Sequence, residues 1–450
     1  MSVGSPEPSD KSHKKPVIAV VGAGVVGIAT ALALSERGFA VKIVDQRDDV
    51  AQATSCRNGA QLSYAYADAM AAPGLVAMAT RILTGQETGL KFRLKPSLHN
   101  YSWLASFVRE GSKERFLANT KRSLQIALRS KKQMDSWQNR YGFAFEHQTN
   151  GKLQILPNQQ AVDDIAELVE LKQSMGINQS VLTPQQAIAV EPALARFCGD
   201  MAGALYSPDE EVGDPYLFAK AALAQILSAD SANEFLSGQR IKKLELSDGE
   251  LVGLGTDNGV IKADGFVFAL GHRAPKFARD LGVAIPVVPV AGYSLTFPLG
   301  ASAPKHSITD IKAKAVICPL GGKLRIAGFA DIGEIAEVPA ENRVDQLRSV
   351  LTSRFPGAAI VSGDGNPWIG HRPVTPDSQP IVTGTKFENA FVNCGHGTLG
   401  WTMAAGTAAD IASQISSKFS MNSNDIHRIT TETLSAIDTD PSSEEQAISA

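Results

Sequence analysis

Residues 16–45 restrict this chain more than any other part. An apolar run, VIAVVGAG, leads into a small-residue stretch, VVGIATALALSERG, and then into a second β-branched run, FAVKIVD. Unbroken Val/Ile runs of this kind suit strands buried on both faces, and the stretch between them has helical spacing, so the segment predicts one βαβ unit of a parallel sheet. At the first strand-to-helix junction stands Gly22-Ala23-Gly24-Val25-Val26-Gly27, a match to GxGxxG in the position where that motif has physical meaning. Gly22 permits the tight turn, Gly24 lets backbone approach a pyrophosphate, and Gly27 allows close helix packing. The helix N-terminus adds amide donors and the positive end of its dipole. Asp45 ends the second strand, where a carboxylate accepts hydrogen bonds from a ribose diol and disfavours a 2′-phosphate. Gln46 and Arg47 follow it and are expected on the same nucleotide site.

The rest of the composition narrows the class. At 450 residues, about two or three structural units are expected. With 44% hydrophobic and 20% charged residues the chain can bury a large interior. Lys plus Arg number 43 against 46 Asp plus Glu, which leaves no basic surplus for nucleic-acid phosphates. Cys56, Cys198, Cys318 and Cys394 are scattered, without the spacing of a structural zinc site, so neither metal nor disulfide is expected. The opening MSVGSPEPSDKSHKKP lacks the apolar core of a signal peptide, and no later run spans a bilayer, so the expected location is cytoplasmic. A peripheral contact with the inner face of the membrane stays open, because an amphipathic surface can make it; PGLVAMATRIL has such spacing, and equally that of a core helix.

Residues 1–16 and 419–450 are rich in Ser, Asp, Glu, Asn and Pro and read as disordered tails. Residues 92–140 have helical spacing with dense Lys and Arg and read as solvated helix. In FAFEHQTNGKLQIL, two alternating runs flank Asn150-Gly151, which predicts a two-residue hairpin opening an antiparallel sheet. Further strands are expected near 287–297, 315–318 and 323–328, after the helical stretch DPYLFAKAALAQIL. GVIKADGFVFALG, a strand ending at Gly271, and AFVNCGHGTLGWTMAAGTA, a strand, glycine turn and helix, both look like returns to the first sheet. The architecture expected is α/β, or α+β overall. A Rossmann-type FAD-binding domain, discontinuous in sequence (17–84, 209–283 and 366–418), is interrupted by an antiparallel-sheet substrate domain (85–208 and 284–365). NAD and FAD share the glycine fingerprint. The second helix start, at His396 to Gly400, favours FAD, since a positive helix end there could face the pyrimidine edge of a reduced flavin.

GAGVVG, ATSCRNGAQLS, AAPG at 71–74, DEEVGD at 209–214, GYSLT at 292–296, GHRPVTPDSQPIV at 370–382 and GHGTLGWTMA at 395–404 stand in order along residues 17–415. Together they resemble the bacterial FAD-dependent D-amino acid dehydrogenases and, more loosely, the glycine oxidase, D-amino acid oxidase and sarcosine oxidase group. The resemblance implies oxidative deamination of D-amino acids to 2-oxo acids and ammonia by hydride transfer from Cα to flavin N5, with electrons passed to a quinone or another non-oxygen acceptor. It implies that Arg372, in GHRPVTPD, holds the substrate carboxylate. Tyr293 is implied either at that carboxylate or in sheet packing, and His396 either as a base or in packing of its loop. Thr54, Ser55, Asn58, Gly59, Ala60 and Gln61 correspond to the loop over the isoalloxazine. Gly271, Gly395, Gly397, Thr398, Leu399 and Gly400 complete the expected FAD contacts.

The departures bear on substrate. The family loop runs Asn-Ala-Gly-Gln, whereas this chain has Asn58-Gly59-Ala60-Gln61, and SYAYADAM lacks the family's Pro-Gly and Trp. His371 replaces an apolar residue. These changes keep a secondary amine or imino acid (D-hydroxyproline, sarcosine or an opine) in play as substrate; a peroxide-forming oxidase also stays open as the reaction, because oxygen access depends on small changes around the flavin. No cysteine lies near Gly370, where sarcosine oxidases attach their flavin, so non-covalent FAD is expected.

Overall fold

The computed structural model describes residues 15–84 and 87–419. The two expected tails lie almost wholly outside the described residues.

The strand Val17–Val21 stands inside a six-stranded sheet, between Ala40–Val44 and Gly265–Phe268, and both pairings are parallel. Ala390–Cys394 continues the sheet in parallel beyond Gly265–Phe268, and Ile381–Gly384 closes that edge in antiparallel sense; Glu234–Leu236 forms the other edge. Alternation along the first strand divides two cores. Ile18 and Val20 face the helices Val25–Ser35, Pro215–Ala229 and Gly400–Lys418, while Ala19 and Val21 face a three-stranded antiparallel sheet through Leu251 and Leu254. Sequence segments more than 200 residues apart thus share one hydrogen-bonded layer, as the discontinuous reading requires.

GVIKADGFVFALG does not form a single strand. Gly259–Lys262 belongs to the three-stranded sheet and only Gly265–Phe268 returns to the parallel one. Between them Asp264 accepts a hydrogen bond from the backbone N–H of Val17 at 2.7 Å, which pins the break to the start of the first strand.

A second, nine-stranded sheet carries Trp368–Val374, Val288–Pro298, Lys323–Ile332, Ala315–Leu320, Ser307–Asp310, Lys152–Leu156, Gly203–Ser207 and Ser180–Leu182 in that order, with Leu90–Phe92 alongside Lys323–Ile332. It is mostly antiparallel; Lys152–Leu156 pairs in parallel with Ser307–Asp310, and Leu90–Phe92 in parallel with Lys323–Ile332. The hairpin expected at Asn150-Gly151 does not form. Lys152–Leu156 takes both its partners from distant chain, Ser307–Asp310 and Gly203–Ser207, while the preceding segment makes one bridge, Gln148 to Val212. Gly151 has the positive φ, 70°, but uses it for a turn in which its N–H donates to the Glu210 carbonyl at 2.9 Å. Long-range pairing overrode a local turn signal.

Residues 92–140 differ from the solvated helix expected there. Two helices, Leu98–Glu110 and Lys113–Tyr141, start at Ser97 and Ser112, whose hydroxyls accept from Asn100 and Arg115 N–H. The second buries Thr120, Leu124, Ala127, Ser130, Met134 and Trp137 at helical spacing. It packs on Gly400–Lys418 so closely that a Cβ at Gly406 would lie 3.0 Å from the backbone of Ile126 and Ser130. Its buried face therefore joins the nucleotide-half core, although its sequence position falls in the interrupting unit.

Two of the motif glycines differ in what they tolerate. A Cβ on Gly27 would stand 1.7 Å from the Gly22 carbonyl oxygen, whereas one on Gly24 would meet nothing nearer than Ser55 Oγ at 3.6 Å. Gly27→Ala is therefore expected to destabilise the fold by about 1–3 kcal/mol through forced backbone movement, and Gly24→Ala to leave stability within about 0.5 kcal/mol. Urea unfolding of the two variants tests this; a wild-type midpoint for Gly27→Ala would mean that the helix can slide away at no cost.

Candidate functional site

The loops that leave the strands of the parallel sheet line a cavity of about 1510 Å³, larger than the roughly 300–1,000 Å³ of ordinary small-molecule pockets. Its wall is built from Gly22, Gly24, Val25 and Val26 after the first strand, Asp45, Gln46 and Arg47 after the second, Ala269 to Arg273 after Gly265–Phe268, and His396 to Gly400 after Ala390–Cys394. This is the carboxyl edge of an open α/β sheet, where such folds take their ligands.

Two helix N-termini open on it without a negative charge of their own. Val25–Ser35 and Gly400–Lys418 each have no acidic residue in the first turn and no capping side chain at the N-cap. Ser55 Oγ accepts from the Val25 N–H at 3.1 Å, a neutral contact. The positive helix ends and the absent side chain of Gly24 form a cradle for an anion and its backbone contacts, which fits the pyrophosphate of a dinucleotide. Asp45 also closes the glycine turn: its Oδ2 accepts from Ala23 N–H at 2.7 Å and its Oδ1 from Arg47 N–H at 2.9 Å. Each oxygen keeps a further lone pair.

The 53–61 loop reaches across to the second sheet. Thr54 Oγ1 donates to the His371 carbonyl at 2.8 Å and accepts from the His371 N–H at 3.2 Å, clamping the loop to the strand Trp368–Val374. Asn58 Oδ1 accepts from Ala60 N–H at 2.8 Å and supports the positive φ of Ala60. Gln61 donates to Ser307 Oγ and accepts from Lys152 Nζ. Thr54, Ser55, Asn58, Gly59 and Gln61 face the cavity, as do Gly271, Gly397, Thr398, Leu399 and Gly400. Ala23, Gly27, Ala60 and Gly395 do not; they are buried behind the wall and shape it.

Arg372 projects from Trp368–Val374 into the same cavity. A β-bulge lies between Ala291 and Tyr293 on the neighbouring strand, and the missing side chain of Gly292 makes room: a Cβ there would fall 2.2 Å from a guanidinium nitrogen. Opposite, Phe329 takes a left-handed φ of 65° and its carbonyl accepts from Arg372 at 2.7 Å. Arg372 makes no ion pair among the described residues, and burial draws its guanidinium down to about 10. The nearby carboxylate, Asp331, is committed elsewhere. It forms a bidentate pair with the buried Arg343 and accepts from the Tyr293 hydroxyl at 2.9 Å. Tyr293 lines the cavity with its ring, but its hydroxyl proton is spent on Asp331.

His396 Nε2 lies 2.9 Å from Thr407 Oγ1, inside the Gly400–Lys418 helix, and burial pushes the imidazole down to about 3. The ring ties its loop to the helix in a neutral state; the structure gives it no partner that would make it a base at neutral pH. His272 lies tilted at 44° against His371, centroids 4.9 Å apart, and burial, then the His371 charge, lowers it likewise to about 3.

Beyond the arginine the cavity has two unlike walls. On one side Gln61, Ser63, Tyr66 and Asp68 face it. Behind them Lys152 donates to Ser63 Oγ at 2.9 Å and Lys172 pairs with Asp68 at 2.8 Å, while burial disfavours the charged forms of Lys152 and Glu210. The other wall comes from Leu75–Leu83, Leu90–Phe92 and Leu98–Glu110 and is apolar. Neither wall was expected from the sequence, nor was the basic rim of Arg240, Lys242, Arg273 and Lys276. The rim could have been sought in the segments following the strands that return to the sheet. No cluster of three or more His, Cys, Asp or Glu suited to a metal occurs among the described residues, and no described helix is long and apolar enough to cross a membrane.

Comparison with known proteins agrees with this geometry. The family described as DAO, FAD dependent oxidoreductase, matches residues 18–414. A D-amino acid dehydrogenase of Paramagnetospirillum magneticum is 36% identical over 422 residues, covering 92% of this chain and 99% of that protein. Another, of Rhizobium rhizogenes, is 34% identical over 401 residues, covering 89% and 95%. Among solved structures, L-proline dehydrogenase from P. horikoshii superposes with a TM-score of 0.69 at 17% identity over 90% of this chain and 94% of that one, a likeness of fold.

The buried histidine yields a sign for acid sensitivity. An unfolded imidazole protonates near its ordinary value of 6.5, whereas His396 in the fold stays neutral to about 3. Its contribution to stability is thus present above pH 6.5 and is lost as the pH falls toward 3. His396→Gln is expected to make stability fall less steeply between about pH 6 and 4, by about one proton or ~1.4 kcal/mol per pH unit. Urea unfolding across that range, at fixed FAD, measures it; an unchanged slope would mean the folded ring does titrate.

Proposed function

The chain belongs to the FAD-dependent oxidoreductase family, and from that premise we propose that it oxidises D-amino acids to 2-oxo acids and ammonia, passing the electrons to a quinone or another non-oxygen acceptor. The observation that carries the proposal is Arg372: a half-buried arginine facing the cavity, its guanidinium bonded to one carbonyl and, among the described residues, to no carboxylate. A cation partly withdrawn from water in this way is costly unless a ligand supplies the anion. An amino acid does so with its carboxylate, which the planar fork can take in bidentate fashion. The names of the two relatives support the D-amino acid as substrate and a dehydrogenase reaction; the quinone or other non-oxygen acceptor is part of our proposal.

The chain's own residues divide the work of holding and orienting. Gly24 and the first turn of Val25–Ser35 would hold the FAD pyrophosphate, Asp45 the ribose, and the turn from Gly397 to Gly400 the pyrimidine edge of the ring. Bound FAD supplies the two-electron acceptor for the Cα hydride. Arg372 fixes the substrate so that this hydrogen faces the acceptor. The amino group leaves as part of an imino acid, which water hydrolyses to the 2-oxo acid and ammonia. No side chain is assigned as a base. Tyr293 serves by holding Asp331 away from Arg372, and His396 by positioning its loop. FAD is held without a covalent bond on this reading: Cys394 lines the cavity, but burial pushes its thiol up to about 12, far from the reactive thiolate. We place the protein in the cytoplasm, with the exposed Leu98 and Tyr101 beside Arg93 and Lys95 supporting peripheral contact with an anionic membrane face.

The test is the anaerobic visible spectrum of the FAD-bound protein. D-amino acids are expected to bleach the oxidised flavin bands and L-amino acids are not. Arg372→Ala, with FAD retained, is expected to lose ~2–5 kcal/mol of transition-state stabilisation, and Arg372→Lys less. Bleaching by secondary amines alone, or by nothing in the D series, would overturn the proposed reaction.

A further inference from the structure

The wall beyond Arg372 points to a substrate class. Four residues of Leu75–Leu83, two of Leu90–Phe92 and three of Leu98–Glu110 face the cavity, and every one is apolar. These elements come from three separate stretches of chain, and their charged residues, Arg81, Lys91, Arg109 and Glu110, all lie off the face that lines the cavity. Contact with the carboxylate anchor is close in chain terms. Arg372 is held by the carbonyl of Phe329; the next residue of that strand, Ala330, pairs with Leu90 and packs in one cluster with Leu75, Leu104 and Phe107. The apolar surface therefore begins one residue from the point where the substrate carboxylate is fixed.

It does not end in a closed pocket. Phe92 and Val108, at its far end, are 43% and 51% exposed. The wall thus runs from the buried Ala330 out to side chains that reach solvent. Apolar groups facing a wet cavity leave ordered water to be released, and they present no donor or acceptor to a polar side chain. A carboxylate, amide or ammonium laid there would lose its hydration unrepaid. Three of the four polar side chains of the other wall already have partners: Gln61 and Ser63 bond Lys152, and Asp68 pairs with Lys172, while Tyr66 lies with its ring against both ammonium groups.

We propose that the enzyme selects D-amino acids with large apolar side chains, aromatic or branched, which lie along the face made by Leu75, Met78, Ile82, Leu90, Leu104 and Phe107. The inference rests on the D-amino acid reading of the site. A site of this kind discriminates by differential burial, in which each methylene is worth roughly tenfold or more in kcat/KM.

The experiment measures kcat/KM of the FAD-bound enzyme, with an artificial dye as acceptor, for D-Phe, D-Leu, D-Met, D-Ala, D-Asp and D-Lys. The large apolar substrates are expected to exceed D-Ala by at least about tenfold and the charged ones by more. Met78→Lys and Leu104→Ala are then expected to shrink the D-Phe to D-Ala ratio at least about fivefold, with flavin content unchanged by its visible spectrum. Two variants on different helices guard against one that fails to fold. A preference for D-Ala, D-Asp or D-Lys in the wild type, or a ratio unmoved in both variants, would overturn the inference while leaving D-amino acid oxidation standing. Absence of reaction with the whole panel would remove both.

Discussion

The parallel pairing of Val17–Val21 with Gly265–Phe268 is the constraint on which the site depends. It aligns Val21 with Phe268 and so brings the glycine turn against the loop that follows the later strand, where a Cβ on Gly22 would stand 2.5 Å from the Ala269 carbonyl oxygen. Gly27 in turn stands against Gly22. Backbone meets backbone at both contacts, and no side chain could be interposed. With those approaches set, the loops after three other strands of the sheet fall on one edge. The two helix starts without acidic residues, Val25 and Gly400, then open into one space, and neither alone would be a site.

Charge is distributed around that space with an unusual economy. Asp331 could have neutralised Arg372, and its field does reach it. Its oxygens are taken instead by Arg343, which also donates to the Thr88 carbonyl, and by Tyr293. The bidentate pair binds the helix Glu341–Arg354 to the strand that carries Phe329, so the same strand both occupies the competing carboxylate and offers Arg372 its carbonyl. A fully buried pair adds little net stability against an apolar replacement. What it secures here is a cation in the cavity with no carboxylate partner among the described residues.

Much of the nucleotide half was legible because its signals are local. GAGVVG must sit between a strand and a helix, and Asp45 must end the next strand, whatever the rest of the chain does. Arg372 was legible through family resemblance and not through its surroundings. The misses share a physical origin. Asn150-Gly151 is a sound turn signal, but Lys152–Leu156 gained more from Ser307–Asp310 and Gly203–Ser207 than from its neighbour, and no local window contains those partners. The Lys113–Tyr141 helix buries Thr120, Ser123 and Ser130 along with Leu124 and Trp137; small polar residues permit close helix packing yet lower the apparent hydropathy, so the buried face looked solvated. Thr54, read as a cofactor contact, does face the cavity, and its hydroxyl also clamps its loop to His371, a residue 317 positions away, which no local signal announces. GVIKADGFVFALG reads as one strand although Asp264-Gly265 is itself a turn-type pair, and the break falls there.

The two walls beyond Arg372 follow from how each is supported. On the polar side every cavity-facing group is backed by a buried charge: Lys152 behind Gln61 and Ser63, Lys172 behind Asp68, with Tyr66 beneath both ammonium groups at 4.1 and 6.0 Å from its ring. Such a cluster is rigid, because any shift would leave a buried ion without its partner. The apolar side has no buried charge cluster behind it. Its elements are fixed at the backbone, Leu90–Phe92 by its ladder to Lys323–Ile332 and Leu98–Glu110 by the Trp103 indole N–H donating to the Val374 carbonyl at 2.9 Å. Its cavity-facing side chains, however, meet one another by packing, with Leu75 seated over Gly111, where a Cβ would come within 2.6 Å of its methyl group. Packing of that kind yields to a change of volume far more readily than a charge network yields to a change of position. On the proposed reading of the site, the wall free to adapt to a side chain is therefore the apolar one, while Arg372 and the polar wall stay fixed.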